Sequence, residues 1–242
     1  MAPAPQSLAD QSLAHQSLAR TTAKKRIGIL ISGRGSNMMS LIDAARAPDS
    51  PAEIAVIVSN RPEALGLIRA HELGIPAVAI DHKLFASRVP FEMRLHQALL
   101  DHKCDLICNA GFMRLLTGGF VDRWKDRHLN IHPSLLPAFP GLDIHKRVLE
   151  QGVLITGCTV HFVRVEMDAG PIVAQAAVPV LPDDTEATLA ARVLEAEHKL
   201  YPHALRLVAS GAARVVQERV VFAAGLVGFQ PPLVVPGLGS FV

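Results

Sequence analysis

The sequence RIGILISGRGSN, residues 26–37, sets the architecture that the rest of the chain follows. Its first seven residues are mostly apolar, which predicts a buried strand. Gly33 and Gly35 then predict a tight turn, because glycine adopts backbone conformations that other residues avoid. Apolar residues follow at helical spacing, at Met38, Leu41, Ile42 and Ala45. A strand, a glycine-rich turn and a helix in this order indicate the first unit of a parallel α/β sheet.

The same alternation continues along the chain. Strands are predicted at residues 53–59, 76–80, 104–109 and 127–132, and helices at 63–73, 87–102 and 117–124. Residues 157–163 and 171–180 then predict an antiparallel pair, followed by a long amphipathic helix over 185–209 and one or two short strands over 214–221. The predicted fold is therefore α/β and Rossmann-like: a mostly parallel twisted sheet flanked by helices, with a C-terminal antiparallel portion.

Both ends of the chain differ from this pattern. Residues 1–25 repeat Gln-Ser-Leu-Ala with a period of five, which fits neither a helix nor a strand. We expect this segment to be a disordered or weakly ordered tail. The last segment, residues 223–242, is rich in Gly and Pro and shows no periodicity. A single domain is therefore expected over residues 26–222, with a tail on each side.

Composition limits which partners and which cellular compartment are expected. The formal charge is +2 with scattered basic residues, so nucleic acid is not expected as a partner. Cys104, Cys108 and Cys158 have no metal-ligand spacing, which predicts reduced thiols and no metal site. No apolar run approaches the ~20 residues that span a bilayer, so no membrane association is expected. The N-terminus lacks the order of a secretory signal. We therefore expect a cytoplasmic protein.

The glycine-rich turn is a candidate phosphate site. Gly35, Ser36 and Asn37 open the first helix, where free N–H groups bind anions. The dinucleotide fingerprint requires a glycine where Met38 stands, and an acid at the end of the second strand, where the chain has Ser59-Asn60. NAD is therefore disfavoured, and a single phosphate on a small substrate is favoured. A tight turn without a ligand is the alternative.

A second candidate site lies in LNIHPSLLP, residues 129–137, together with Asp168. Asn130 and His132 are two residues apart on a predicted strand, so their side chains project to the same side. An amide and an imidazole aimed at one point can stabilise an oxyanion, and a carboxylate nearby favours the charged imidazole. With no serine elbow and no cysteine at a helix start, direct transfer to a carbonyl is favoured over covalent catalysis. A structural hydrogen-bonded pair is the alternative.

Two further features are ambiguous from the residues alone. Glu197 lies at the border of the apolar stripe of the long helix, so it either forms a salt bridge or faces a cavity and binds an amine or hydroxyl. The loop over residues 109–116 could form a slot for an aromatic ring, although its composition alone favours a packed loop. The remaining histidines are expected to have structural or supporting roles: His145, His161, His198 and His203.

Several long motifs occur in order between about Arg26 and Val221. They are ISGRGSNM, SNRPEALGLIRA, AGFMRLL, LNIHPSLLPAFPGLDIH, GCTVHFVRVEMDAGPI and AEHKLYP. Together they closely resemble the phosphoribosylglycinamide formyltransferase family. This resemblance implies the formyltransferase fold and transfer of a formyl group from 10-formyltetrahydrofolate to the amine of glycinamide ribonucleotide, in de novo purine biosynthesis. It also implies small-molecule substrates, no metal, and a monomer or homodimer.

The resemblance also implies roles for individual residues. The catalytic trio corresponds to Asn130, His132 and Asp168. The residues that hold the ribonucleotide correspond to Gly35, Ser36, Asn37 and Glu197. The folate site corresponds to Met113, Arg114, Leu115 and Leu116, with Arg88 near the formyl-folate and a mobile loop from Val165 to Asp168. The resemblance thus reverses the preference for a packed loop at 109–116. Leu194 departs from the pattern, since some relatives carry a polar side chain there.

Three alternatives share parts of this pattern. A formyltetrahydrofolate deformylase uses water as acceptor and is expected to carry an additional N-terminal domain, and water needs no phosphate site. Methionyl-tRNA formyltransferases typically continue the LNIHPSLLP motif with Arg-Gly and add a basic C-terminal barrel, whereas this chain continues with Ala138-Phe139-Pro140-Gly141. A non-catalytic nucleotide-binding module is disfavoured by the intact trio.

Overall fold

A computed structural model describes residues 23–225 together with Leu233 and Val235. A seven-stranded sheet forms the centre of this part of the chain. Its strands are β1 (Lys25–Ile31), β2 (Ala52–Ser59), β3 (Ala77–Ala79), β4 (Leu106–Asn109), β5 (His128–His132), β6 (Ile155–Phe162) and β7 (Ile172–Pro179). Their spatial order is β3-β2-β1-β4-β5-β6-β7, with β1 to β5 parallel and β6 and β7 antiparallel. The predicted fold class and the predicted antiparallel pair are confirmed.

Helices cover both faces of this sheet. They are α1 (Ser36–Ala45), α2 (Leu65–Glu72), α3 (Arg88–Asp101), α4 (Gly118–Arg123), α5 (Ile144–Glu150) and α6 (Glu186–Ala209), with a 3-10 turn at His82–Leu84. The strands β8 (Ala213–Val216) and β9 (Arg219–Phe222) form a separate antiparallel hairpin. Thr185 caps α6, as predicted. The sequence prediction missed α5, which is only two turns long and begins after Asp143 at a φ of +53°.

Two apolar layers form because the side chains of the central strands alternate. Leu129 and Ile131 of β5 pack on one face with α1, α2 and α6. Ile107 of β4 belongs to the opposite layer, with α3 and α4. Tyr201 of α6 donates hydrogen bonds to the carbonyls of Asn109 and Leu129, at 3.0 and 3.2 Å. The helix is thereby fixed beneath the carboxyl ends of β4 and β5, where open α/β sheets bind their ligands.

The two predicted tails fall largely outside the described residues. Residues 1–22 lie outside them, as do 226–232, Val234 and 236–242. Lys25, which the prediction placed in the first tail, is the first residue of β1. Among the helices of the described part of the chain, none combines the length and the apolar character needed to cross a membrane.

Candidate active site

Three neighbouring strands place polar side chains in one row. β5 lies between β4 and β6, and its Asn130 is paired with Asn109 on one side and with His161 on the other. Residues that pair across strands point to the same face of a sheet, so the three side chains lie next to one another. The Nδ2 atom of Asn130 donates to Nε2 of His161 at 3.2 Å. The orientation of the Asn130 amide is therefore set by its neighbour on β6.

His161 is suited to accept this hydrogen bond. Its Nδ1 lies 3.1 Å from the carbonyl oxygen of Phe162, and since a carbonyl only accepts, Nδ1 carries the proton. Burial lowers the pKa of His161 below the usual histidine value, which favours the neutral ring. A neutral ring protonated at Nδ1 presents a lone pair at Nε2. His161 therefore orients the catalytic candidate Asn130, the supporting role expected for it from the sequence.

His132 lies two residues further along β5, on the same face as Asn130. Its Nε2 donates to the carbonyl oxygen of Phe139 at 2.9 Å, and its Nδ1 lies 3.5 Å from Oδ2 of Asp168. A carbonyl only accepts, so Nε2 carries a proton. The carboxylate of Asp168 lies on the other side of the ring, where it can stabilise positive charge on the imidazole.

Asp168 reaches the histidine from a tightly bent loop between β6 and β7. Its backbone has a φ of +57°, and its Oδ2 accepts from the backbone N–H of Gly141 at 2.9 Å. Its Oδ1 lies 3.9 Å from Nε2 of His161. At Gly170, a Cβ atom would lie 1.7 Å from the carbonyl oxygen of Phe162, so the return of the loop onto β6 requires glycine. The structure therefore brings the predicted trio together.

A cleft of about 460 Å³ opens in front of this row. It lies in the size range typical of small-molecule sites. Its walls include residues predicted for the folate site and the predicted catalytic trio. The former are Met113, Arg114, Leu115, Leu116 and Val165, and the latter are Asn130, His132 and Asp168. Met113 and Leu115 are 62% and 64% exposed, so the composition-based preference for a packed loop is wrong. Polar catalytic candidates and an apolar slot share one cleft.

The glycine-rich turn is connected to the long helix. Gly35 has a φ of +73° and precedes α1, so the first N–H groups of that helix lack intrahelical partners. The Nδ2 atom of Asn37 donates to Oε2 of Glu197 at 2.7 Å. Burial raises the pKa of Glu197 to about 7. The Oδ1 atom of Asn37 is buried without a partner among the described residues, so this pair has capacity for a hydrogen-bond donor from a ligand.

The salt bridge considered for Glu197 is wrong, because within the described residues its carboxylate has no basic partner. Arg88 is exposed at the first position of α3 and does not line the cleft. No group of three His, Cys, Asp or Glu side chains in the described part of the chain could hold a metal ion.

Sequence reasoning missed His128, and it included Asn109 in the loop 109–116 without giving its side chain a role. The Nε2 atom of His128 donates to Oδ1 of Asn109 at 2.8 Å, and Asn109 lines the cleft floor. Burial lowers the pKa of His128 to about 3, so its ring is neutral. The alternation His128, Asn130, His132 along one strand was a signal for the histidine. The role of Asn109 could be found only by knowing the register of β4 against β5.

Known proteins resemble this chain over most of its described part. The profile of the formyl transferase family matches residues 25–205. Phosphoribosylglycinamide formyltransferase of Haemophilus influenzae is 40% identical over 191 residues, which cover 79% of this chain and 90% of that protein. This chain belongs to the phosphoribosylglycinamide formyltransferase family. A crystal structure of a family member from Brucella melitensis is 54% identical, has a TM-score of 0.75, and is matched over 97% of its length by 78% of this chain.

Members of this family also occur within longer proteins. The trifunctional purine biosynthetic protein adenosine-3 of Bos taurus is 50% identical over 192 residues. The chain spans 19% of the length of that relative. A formyltetrahydrofolate deformylase from Pseudomonas syringae has a TM-score of 0.75 but only 23% identity, so it shares the fold alone. The likeness to the formyltransferase family is therefore much closer than the likeness to the deformylase.

Proposed function

We propose that this chain transfers the formyl group of 10-formyltetrahydrofolate to the amine of glycinamide ribonucleotide in de novo purine biosynthesis. The observation that carries the proposal is the single cleft wall in which Asn130 and His132 lie beside Asp168, at the mouth of an apolar slot. Family membership supports the reaction class.

The donor fits the cleft. A bicyclic ring needs an apolar slot with a few polar groups at its edge, which the loop from Met113 to Leu116 and the loop residue Val165 supply. The backbone N–H of Met113 is held by Oγ of Ser32 at 2.8 Å, so the slot is attached to the end of β1. In the proposal Arg114 and the exposed Arg88 lie near the outer part of the donor.

The acceptor fits the turn and the long helix. Its phosphate would bind the N–H groups of Gly35, Ser36 and Asn37 at the start of α1, where the helix dipole also favours an anion. Its hydroxyl or amine groups would donate to Oδ1 of Asn37 and to the carboxyl of Glu197. Water as acceptor would use neither group, which disfavours the deformylase.

The proposed reaction is direct attack without a covalent enzyme intermediate. The amine nitrogen of the acceptor forms a bond to the formyl carbon, and the carbonyl oxygen gains negative charge. Asn130 and charged His132 stabilise that oxyanion, and Asp168 stabilises the histidine's charge. The bond between the formyl carbon and the folate nitrogen then breaks. The attacking amine loses one proton and the departing nitrogen gains one, with His132 and Asp168 as the relay.

A steady-state assay tests this proposal. Consumption of 10-formyltetrahydrofolate is followed with and without glycinamide ribonucleotide, and the formylated ribonucleotide is detected by mass spectrometry. We expect consumption only with the acceptor present, with one product formed per donor consumed. Consumption without the acceptor would indicate the deformylase, and binding of both ligands without turnover would indicate a non-catalytic module.

The compartment forms part of the same proposal. Cys104, Cys108 and Cys158 are buried free thiols. Such thiols are usual in a reducing compartment, which supports a cytoplasmic location. The choice between monomer and homodimer stays a prediction from the resemblance.

A further inference from the structure

We propose that Asn109 recognises the ring of the formyl donor from the floor of the cleft, by donating a hydrogen bond from its side-chain amide to an oxygen or nitrogen acceptor on the ring. His128 is the positioning residue that fixes this amide. The inference rests on the proposed function, because it assigns a specificity-determining contact to the donor of that reaction.

Asn109 has a fixed place in the sheet. It is the last residue of β4, it is 8% exposed, and it lines the cleft next to Asn130. Its backbone oxygen accepts from the hydroxyl of Tyr201 at 3.0 Å. A residue at a strand end that is tied to the long helix has little freedom to move. The amide is therefore fixed at the bottom of the slot that the proposal assigns to the donor.

The two ends of the Asn109 amide have different surroundings. Its Oδ1 is used by Nε2 of His128, at 2.8 Å. Its Nδ2 has no hydrogen-bond partner among the described residues. This atom is not fully buried, so a ligand in the cleft can reach it. A fixed N–H donor at the base of an otherwise largely apolar slot costs binding energy unless the ligand offers an acceptor.

The protonation of His128 determines which end of the Asn109 amide faces the cleft. Burial keeps His128 neutral, so only one ring nitrogen carries a proton. Its Nδ1 is buried without a partner. If the Asn109 amide were reversed, Nδ1 would have to carry the proton and would be a buried, unpaired N–H group, which is rare in proteins. The orientation with Nδ2 toward the cleft leaves only a lone pair unpaired, and it is therefore preferred.

The consequence is selectivity between rings of the same shape. An apolar floor would accept any flat bicycle of suitable size. The amide of Asn109 instead favours a ring with an acceptor at its buried edge and disfavours one that has a C–H group there. A folate-type bicycle carries one ring carbonyl and several ring nitrogens, so it belongs to the favoured class. Because His128 stays neutral down to about pH 3, this preference is constant over working pH.

Asn109→Asp is the decisive variant, because it keeps an oxygen for His128 and replaces only the N–H donor with an acceptor. We expect the KM for 10-formyltetrahydrofolate to rise at least about tenfold, since a lost hydrogen bond is joined by repulsion between acceptors. The KM for glycinamide ribonucleotide should stay within about twofold of the wild-type value, because Asn109 takes no part in the Asn37–Glu197 hydrogen bond. His128→Leu keeps the amide but frees its rotation, and we expect a rise of about two- to fivefold.

Direct binding gives a readout independent of turnover. Calorimetric titration of wild type, Asn109→Asp and Asn109→Leu with 10-formyl-5,8-dideazafolate, which keeps the ring carbonyl but lacks two ring nitrogens, identifies the acceptor. Equal losses for this analogue and the natural donor assign the contact to the part of the ring they share. A loss for the natural donor alone would contradict a contact to a ring acceptor, because the two replaced nitrogens carry hydrogens in the reduced ring.

Unchanged donor affinity in both Asn109 variants would overturn the inference, as would equal losses for donor and acceptor with a lowered melting temperature. The wild-type assay separates this failure from failure of the proposed function. If wild type does not formylate the ribonucleotide, the proposed function fails. If wild type does so and the Asn109 variants bind the donor normally, only the contact at the cleft floor is wrong.

Discussion

The site combines side chains held by regular elements with one side chain held by a loop. Asn130 and His132 are fixed by β5, which has hydrogen-bonded neighbours on both sides, and Glu197 is fixed by α6. Asp168 instead lies on a loop whose Val165 and Met167 are 62% and 53% exposed. The difference teaches that the groups that stabilise the oxyanion are preorganised by the sheet, whereas the negative charge of Asp168 that supports His132 depends on a few contacts made by the loop.

The largest effect is expected at the strand. His132→Ala should lower kcat by about 100- to 1000-fold, because the sheet holds the remaining residues in place and only the positive charge that stabilises the oxyanion is lost. Steady-state kinetics with both substrates saturating measures it, and circular dichroism checks that the fold is kept. A loss below about tenfold would contradict the role given to the strand.

The second test uses pH and the helix-held carboxyl. The pKa of Glu197 is raised from 4.5 to about 7 by burial, so in the ligand-free protein the unfolded chain ionises first as pH rises. The free energy of unfolding should therefore fall between pH 4.5 and 7 and level off above pH 7. Measured relative to Glu197→Gln, the fall should be at most about 3 kcal/mol. Urea unfolding across this range measures the difference.

Glu195 gives a matched control on the same helix, since it is exposed. Glu195→Gln should keep the pH dependence of wild type. If Glu197→Gln kept it as well, the buried carboxyl would not be its source. The acceptor KM of Glu197→Gln should rise while the donor KM stays the same, which separates the helix-held group from the loop-held one.

The third test removes the charge of the loop-held residue. Asp168→Asn keeps an oxygen for the N–H of Gly141 but cannot stabilise a charged His132. We expect kcat to fall by about 10- to 100-fold, since hydrogen bonds to charged groups contribute about 1.5–3 kcal/mol. A fall in kcat equal to that of His132→Ala would mean that Asp168 is as essential as His132. The loop residue would then be more than a support for the strand residue.

The sequence predicted the strand-held side chains better than the loop-held one. The pairing of Asn130 with His132 on one face needs only the period of a strand, so it was predictable from three residues. Asp168 was proposed as the carboxylate beside His132, but the way it reaches the ring was not predicted, because that approach depends on a positive φ and on Gly141, 27 positions earlier in the chain. The contact between Asn109 and His128 was missed since it requires the register between two strands, which no local pattern encodes.

The smallest effect is expected where the loop is attached to the rest of the molecule. Arg164, at the start of the loop, forms ion pairs with Asp126 at 2.6 Å and with Glu218 of the β8–β9 hairpin turn at 2.7 Å. Both acidic partners are exposed, so each ion pair contributes little. Arg164→Ala should therefore raise the donor KM by about two- to fivefold and leave kcat nearly unchanged.

Lys125 provides the control for that variant, because it pairs with Glu218 at 2.9 Å but does not belong to the loop. Lys125→Ala should keep the wild-type donor KM, and hydrogen exchange should speed up over residues 165–169 only in Arg164→Ala. The difference in donor KM between wild type and Arg164→Ala should also become smaller in about 1 M salt, since screening weakens exposed ion pairs. Equal effects of the two variants would mean that the hairpin, rather than its attachment to the loop, supports the donor site.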